Sequence, residues 1–344
     1  MTVHVIASDV QATMTVVNGV RLLSNSEVQT FKDCPRKWWL AWHRGLKPKR
    51  RSVIGPRSTG QREHAALAAL YTPGGVPQDA WRVLSEVHTE DEQRLEEYVA
   101  ALEFGENPGG SADELRRKLA SDYDLERAML EGYLEWLVET GVDSQLEVIA
   151  AEQRVEVPFT TLNGQQVNLI AKIDARVRNL LTGGLKFIDH KTVGSLLDPV
   201  LGLNQQMLHY HIIEDLLTQP GRPRCEGALY NMLRKVKRTR ASKPPYFGRT
   251  PIDHNRHELS AYGLQLLGVI DKIVQAEQFL KSAVPHQRAV PARPSRDCSW
   301  KCDFFKICRM FDDGSRVEAA IEDHYVAGDP LAYYDDRETN DADS

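Results

Sequence analysis

The sequence predicts an α/β protein. A small core with a mixed sheet is preceded by inserted helical material and followed by a cysteine-bearing clasp. Three observations carry this. From Glu147 the hydrophobic period shortens from the helical to the alternating pattern, giving three strand-like runs, EVIAAEQRVEVPF, QQVNLIAKIDARV and LKFIDHKTV. Turn residues at Leu162-Asn163-Gly164 and Gly183-Gly184 separate them. Three of the five cysteines crowd into CSWKCDFFKIC near the C-terminal end.

Each element has its own reason. Residues 1–20 read as a loose or weakly paired lead-in. Ser24 or Ser26 can cap a helix with Glu27 in its first turn, running toward Cys34-Pro35. A second segment carries Trp38, Trp39 and Trp42, and Lys47–Gly60 is a basic loop with two prolines. Residues 61–71 form an alanine-rich helix with His64 one turn in, and residues 79–103 and 112–140 form longer amphipathic helices broken by GENPGGS. After the three strands come a helix over about 201–217, a fourth strand (EGALYNMLR), a basic loop and a long helix over 256–281. Pro285, Pro291 and Pro294 then carry the chain in extended form to the cysteines. There is no internal repeat.

The chemistry concentrates at two strand ends. On a strand alternate side chains share a face, so Asp189 and Lys191 point the same way. A hairpin through Gly183-Gly184 brings Asp174 beside them. Two carboxylates and an ammonium gathered this way suit Mg²⁺ or Mn²⁺ and metal-assisted phosphodiester hydrolysis. The bare Asp-x-Lys tripeptide is common; its position at the end of a buried strand gives it weight.

Composition is that of an ordinary globular protein, 42% hydrophobic and 26% charged. No apolar run reaches a membrane-spanning length and no secretory leader is evident, so the expected address is a reducing cytoplasm. The net charge of −5 conceals a strong asymmetry. Residues 312–344 hold eleven acidic residues against two arginines, a balance of −9 that leaves +4 on the other 311 residues. Two stretches are especially basic, Lys47–Arg57 and Arg234–Arg249. In the second, Arg234, Lys235, Lys237, Arg238 and Arg240 sit near Tyr246, a combination suited to nucleic acid. The last ten or so residues read as a disordered acidic tail.

An odd number of cysteines in a cytosolic chain argues against a disulfide framework. Cys298, Cys302 and Cys308 need a fourth partner, and Cys34 suits better than Cys225, which sits in an apolar strand-like run. One remote cysteine plus a cluster of three suits a [4Fe–4S] centre. A zinc site and unliganded buried cysteines are the alternatives.

Taken in order, these motifs resemble the PD-(D/E)XK nuclease superfamily, specifically RecB-type exonucleases with an iron–sulfur cluster, as in the AddB nuclease domain and CRISPR-associated protein four. The resemblance covers roughly residues 22–310. LLSNSEVQTFKDCPRKWWL resembles the family's opening, with Cys34 as first cluster ligand, and Cys298, Cys302 and Cys308 resemble the terminal triplet, with one residue more in the first gap. Gly60 and His64 match the family's Gly-x3-His, whose histidine reaches the metal. Glu152 stands where the family often has an acidic residue. Asp174 matches the Gly-x-Ile-Asp aspartate without the glycine, and Asp189-His190-Lys191-Thr192 matches Asp-x-Lys-Thr. Gln206 and Tyr210, one helical turn apart, match Gln-x3-Tyr.

The resemblance implies a restriction-endonuclease-like core at 146–283. Around it lie an N-terminal segment at 1–60, a helical region at 61–145, an iron–sulfur segment at 284–311 and an acidic tail at 312–344. It implies His64, Asp174, Asp189 and the His190 carbonyl as metal ligands, and Lys191, Glu152, Gln206 and Tyr210 in catalysis. The expected activity is metal-dependent DNA exonuclease action in recombination, repair or CRISPR-type processing. The substrate would be single-stranded DNA or DNA with free ends, in a bacterial or phage-infected cell, beside a recombination or CRISPR complex. The alternative is a non-catalytic DNA- or partner-binding module on a nuclease-like fold. No G-x4-G-K-[ST] loop occurs, which excludes ATP hydrolysis of that kind.

Overall fold

The computed structural model describes residues 15–49, 53–102, 111–218, 224–282 and 284–334. Along the chain run β1 (Val16–Val17), β2 (Val20–Ser24), α1 (Asn25–Asp33), α2 (Pro35–Trp38) and β3 (Leu46–Pro48). Three helices follow: α3 (Pro56–Leu70), α4 (Pro77–Leu102) and α5 (Ala112–Thr140). Next come β4 (Leu146–Thr160), β5 (Gln166–Asn179), β6 (Leu185–Val193), α6 (Gln205–Leu217), β7 (Cys225–Arg234) and β8 (Phe247–Ile252). The chain closes with α7 (Arg256–Lys281), α8 (His286–Ala289), α9 (Cys298–Lys301), α10 (Phe305–Cys308), α11 (Val317–His324) and β9 (Tyr325–Ala327). Two compact units divide it: Met1–Arg50, Arg154–Ala171 and Arg256–Ser344 form one, and Arg51–Gln153 and Lys172–Asn255 the other.

The second unit holds a mixed sheet. β5 and β6 are antiparallel, with Ala175 opposite Ile188. β6 and β7 are parallel, as their long connection through α6 allows. β7 and β8 are antiparallel, with Asn231 opposite Arg249. Alternation sorts the side chains between two faces. Ile188, Ala175, Val177, Leu229 and Leu233 pack with Leu67 of α3, with Tyr71 at its C-terminal cap, and with Met129 and Tyr133 of α5. Phe187 points the other way and meets the Tyr210 ring of α6 at 5.9 Å. Helices therefore cover both faces. Truncating fully buried Ile188 to alanine would cost about 2–5 kcal/mol.

Helix α3 is held closely. A Cβ added at Gly60 would meet Thr192 Oγ1 of β6 at 3.2 Å, so a glycine there lets helix and strand approach. Two residues on, buried Arg62 donates to both carboxylate oxygens of Glu126 on α5 (2.9 and 3.0 Å) and to Asp91 of α4 (2.5 Å). Removing one member of such a buried set strands the other charges, at about 3–5 kcal/mol. Helix α5 starts at Ser111, whose side chain accepts from Glu114 N–H, and ends at Gly141 in the left-handed conformation (φ 62°).

In the first unit, β2 lies antiparallel to β1 and parallel to the start of β5, with Leu22 opposite Asn168 and Ser24 opposite Ile170. Ser24 caps α1 by accepting from Glu27 N–H. Buried Arg21 joins Glu27 and Glu277, and Trp38 Nε1 donates to Glu27 at 2.8 Å. β3 pairs antiparallel with β9.

Several expectations need correction. The helix expected from residue 61 begins at Pro56, because proline suits a first helical turn, and so takes the end of the expected basic loop. For the same reason the helix expected from residue 79 begins at Pro77. The helix expected over about 201–217 is a 3₁₀ turn at Leu201–Leu203 followed by α6, which Asn204 caps by accepting from Gln206 N–H. The second basic stretch ends not as loop but in β8. The acidic C-terminal segment, for which disorder is expected only in its last ten or so residues, carries α11, β9 and the turn at Ala332–Tyr334. Residues 50–52 of the first basic stretch and the final acidic residues 335–344 lie outside the described residues.

Candidate active site

The β5–β6 hairpin places Asp174 beside the end of β6. The His190 peptide N–H donates to Asp174 Oδ2 at 2.8 Å. His64, four residues along α3 from Gly60, brings Nδ1 to 3.4 Å from the same oxygen. Glu152 of β4 completes a trio. Among the described residues, His64, Glu152 and Asp174 are the one group of three metal-capable side chains whose ligand atoms lie within 4.8 Å of one another. Glu152 also pairs with Lys172 at 3.5 Å. Its backbone is left-handed (φ 46°), a conformation that costs a non-glycine residue free energy and recurs at functional sites.

Asp189 and Lys191 share a face of β6 as alternation requires. Lys191 Nζ lies 3.0 Å from Asp189 Oδ1 and 2.8 Å from Oδ2. From α6, Gln206 Nε2 donates to Asp189 Oδ1 at 3.1 Å and to the Tyr210 hydroxyl at 3.0 Å. Helical spacing thus lays Gln206 and Tyr210 along one side, facing the strand end.

The electrostatics are those of crowded carboxylates. Burial, then Asp174, pushes Glu152 up to about 7. Burial raises Asp189 to about 6 against the pull of Lys191. Burial raises Asp174 as well, again against Lys191. Burial and Lys191 lower His64 to about 4, so it stands as a neutral imidazole able to ligate a cation. Burial opposes charge on Lys191, but Asp189 and Asp174 outweigh it and hold the ammonium. A divalent cation would favour the ionised forms of all three acids at once.

The basic loop is partly engaged with its own protein. Lys237 lies 3.6 Å from Asp124, and Arg238 pairs with Glu135 at 2.5 Å. Arg234 donates to the Lys243 carbonyl. Tyr246 donates to the Ser242 carbonyl and packs against the core. Arg240 is exposed and Lys235 half-buried.

Four cysteines belong to the first unit. Cys34 Sγ accepts from Arg293 N–H at 3.4 Å, and Cys298 Sγ from Ser295 N–H at 3.3 Å. Burial raises the Cys302 thiol, with Cys298 and Cys308 adding to the rise. Burial raises Cys308 too, with Cys34 adding. Cys225 stands in the second unit on β7, its thiol 3.6 Å from the Gly227 carbonyl.

Two residues near the site escaped the sequence reading. Asn231 of β7 and Arg249 of β8 lie beside His190 in register and join it in a buried polar row. A lone asparagine amid the apolar run GALYNML was the available signal.

No helix among the described residues is long and apolar enough to cross a membrane. No curated protein matches the chain. A family model described as the PD-(D/E)XK nuclease superfamily matches residues 22–309.

Proposed function

The chain belongs to the PD-(D/E)XK nuclease superfamily, and from that premise we propose that it is a divalent-metal-dependent DNA exonuclease of the RecB type, bearing a [4Fe–4S] cluster. The observation that carries the reading is the convergence of His64, Glu152 and Asp174 beside the Asp189–Lys191 pair.

In this reading His64, Glu152 and Asp174, with Asp189 and the His190 carbonyl, hold Mg²⁺ or Mn²⁺. The donor set of carboxylates with one neutral imidazole suits such ions. A bound cation supplies an acidified water and neutralises charge at the scissile phosphate. Lys191, held as an ammonium, stabilises negative charge developing on the phosphate. Gln206 and Tyr210 keep Asp189 and Lys191 in place. Arg234, Lys235, Lys237, Arg238 and Arg240 supply sequence-independent attraction for the DNA backbone.

Cys34, Cys298, Cys302 and Cys308 would hold the cluster and tie residue 34 to a segment more than 260 positions away. The biological setting we assign is DNA recombination, repair or CRISPR-type processing in a bacterial or phage-infected cytoplasm, beside a recombination or CRISPR complex.

The test is degradation of end-labelled linear single- and double-stranded DNA with Mn²⁺, beside a circular substrate. Exonuclease action consumes the linear forms and spares the circle. Tight DNA binding with no cleavage under any divalent ion would leave the non-catalytic alternative.

A further inference from the structure

We propose that Asn231 and Arg249 are positioning residues for the metal site. They hold the His190 imidazole as its Nε2–H tautomer and, through that ring, fix the orientation of His64 and of the His190 peptide. The inference rests on the metal-site reading above.

The sheet register makes the arrangement. His190 lies opposite Asn231 across the parallel β6–β7 pair, and Asn231 lies opposite Arg249 across β7–β8. The three side chains form a row on the face away from Asp189 and Lys191. Arg249 is the anchor because a guanidinium only donates. Its Nε donates to Asn231 Oδ1 at 3.1 Å, and that bond decides which way the amide points. Asn231 Nδ2 must then donate, to Tyr133 OH at 3.0 Å and to His190 Nδ1 at 2.9 Å. His190 Nδ1 is therefore an acceptor, and the ring proton of the neutral imidazole belongs on Nε2.

The remaining members close the network except at His190 Nε2, which is buried and has no hydrogen-bond partner among the described residues. Arg249 Nη2 donates to the hydroxyls of Tyr71 (2.7 Å) and Tyr133 (2.9 Å), and Nη1 donates to Asp143. The two tyrosine hydroxyls lie 2.8 Å apart, and Tyr71 donates to Asp143 Oδ2 at 2.7 Å. Tyr133, having accepted twice, donates to Tyr71. Every proton direction is thus fixed by the one group that cannot accept. Apart from His190 Nε2, every member of the row is matched, and losing any of these bonds at so buried a place would be costly, so the row favours one geometry.

That geometry reaches the metal trio. The His190 ring stands perpendicular to the His64 ring at 6.2 Å between centroids and lies 5.0 Å from the Tyr71 ring. The His190 peptide N–H is bonded to Asp174, and the His64 ring leans on the His190 carbonyl. A rotated imidazole would disturb all three.

The test is ¹⁵N NMR of the histidine rings in the full-length protein, where protonated and bare ring nitrogens are told apart by shift. The expected result is protonated Nε2 and bare Nδ1 on His190; a proton on Nδ1 overturns the inference without any variant. Asn231→Asp, the same shape but only an acceptor, should move that proton to Nδ1 and weaken Mn²⁺ binding by about tenfold or more, the usual effect of losing a supporting partner. Should that variant not fold, Asn231→Ala removes the same donation and should weaken Mn²⁺ binding likewise. Unchanged Mn²⁺ affinity in a folded variant overturns this inference alone. A wild-type protein that binds no Mn²⁺ overturns the metal-site reading and this inference with it.

Discussion

Gln206 donates from Nε2 to Asp189 Oδ1 across 3.1 Å, and Lys191 Nζ reaches the same oxygen at 3.0 Å. One buried carboxylate oxygen thus takes a neutral donor from a helix and a charged one from its own strand. The remaining oxygen, Oδ2, faces the lysine at 2.8 Å. The helix donor fixes the carboxylate's rotation, and the lysine's position follows.

Gln206→Leu should therefore lower kcat about tenfold while leaving KM for DNA within about threefold, because its partner is a catalytic carboxylate and not the substrate. Steady-state cleavage at saturating Mn²⁺ checks this. A rise in KM with unchanged kcat would assign Gln206 to the DNA instead.

Acid should unfold the protein through buried neutral histidines. Burial, then Arg21, lowers His43 to about 4, and burial alone lowers His209 to about 4. Depressed folded values mean that the unfolded chain takes up protons first as pH falls. Stability present above about 6.5 is lost as pH drops toward 4, by on the order of 3 kcal/mol for each histidine. Denaturant titrations at pH 7 and pH 5 measure it. The double variant His43→Gln, His209→Gln should show a shallower fall.

Cluster loss should track four cysteines and not the fifth. Cys34→Ser and Cys302→Ser should each lose the brown colour, roughly near 400 nm, together with soluble yield. Cys225→Ala should keep both, since Cys225 belongs to the other unit. Iron and zinc analysis of the purified protein decides between a cluster and a zinc site.

Charge reversal in the basic loop should be graded by what each side chain already holds. Lys235→Glu with Arg240→Glu should weaken DNA binding uniformly across sequences and flatten its salt dependence. Arg238→Glu should do less, because Glu135 already engages that guanidinium. Anisotropy titrations with labelled DNA across a salt series separate the two.

Local pattern revealed much of this molecule in advance. The period-2 spacing of Asp189 and Lys191, the Gly183-Gly184 turn, the glycine at 60 and the one-turn spacing of Gln206 and Tyr210 are all short-range signals. The 256–281 helix matched to the residue. What stayed hidden depends on distant register or on backbone exceptions. β8, FGRTPI, carries a proline and buries chiefly its end residues Phe247 and Ile252, so its alternation is faint. The parallel pairing of β2 with residues 168–170 joins segments more than 140 positions apart. The place of Glu152 beside His64 and Asp174 rests on a left-handed residue that no periodicity foretells. The Asn231–Arg249 row exists only once three strands are aligned.

The most direct test compares wild type with Asp174→Ala and Lys191→Ala in one Mn²⁺-dependent assay on end-labelled DNA, with circular dichroism to confirm folding. Wild type should release labelled nucleotides only when the ion is present, and both folded variants should fall by at least about a hundredfold. Cleavage at the wild-type rate by either folded variant would contradict the assignment of this hairpin as the hydrolytic centre.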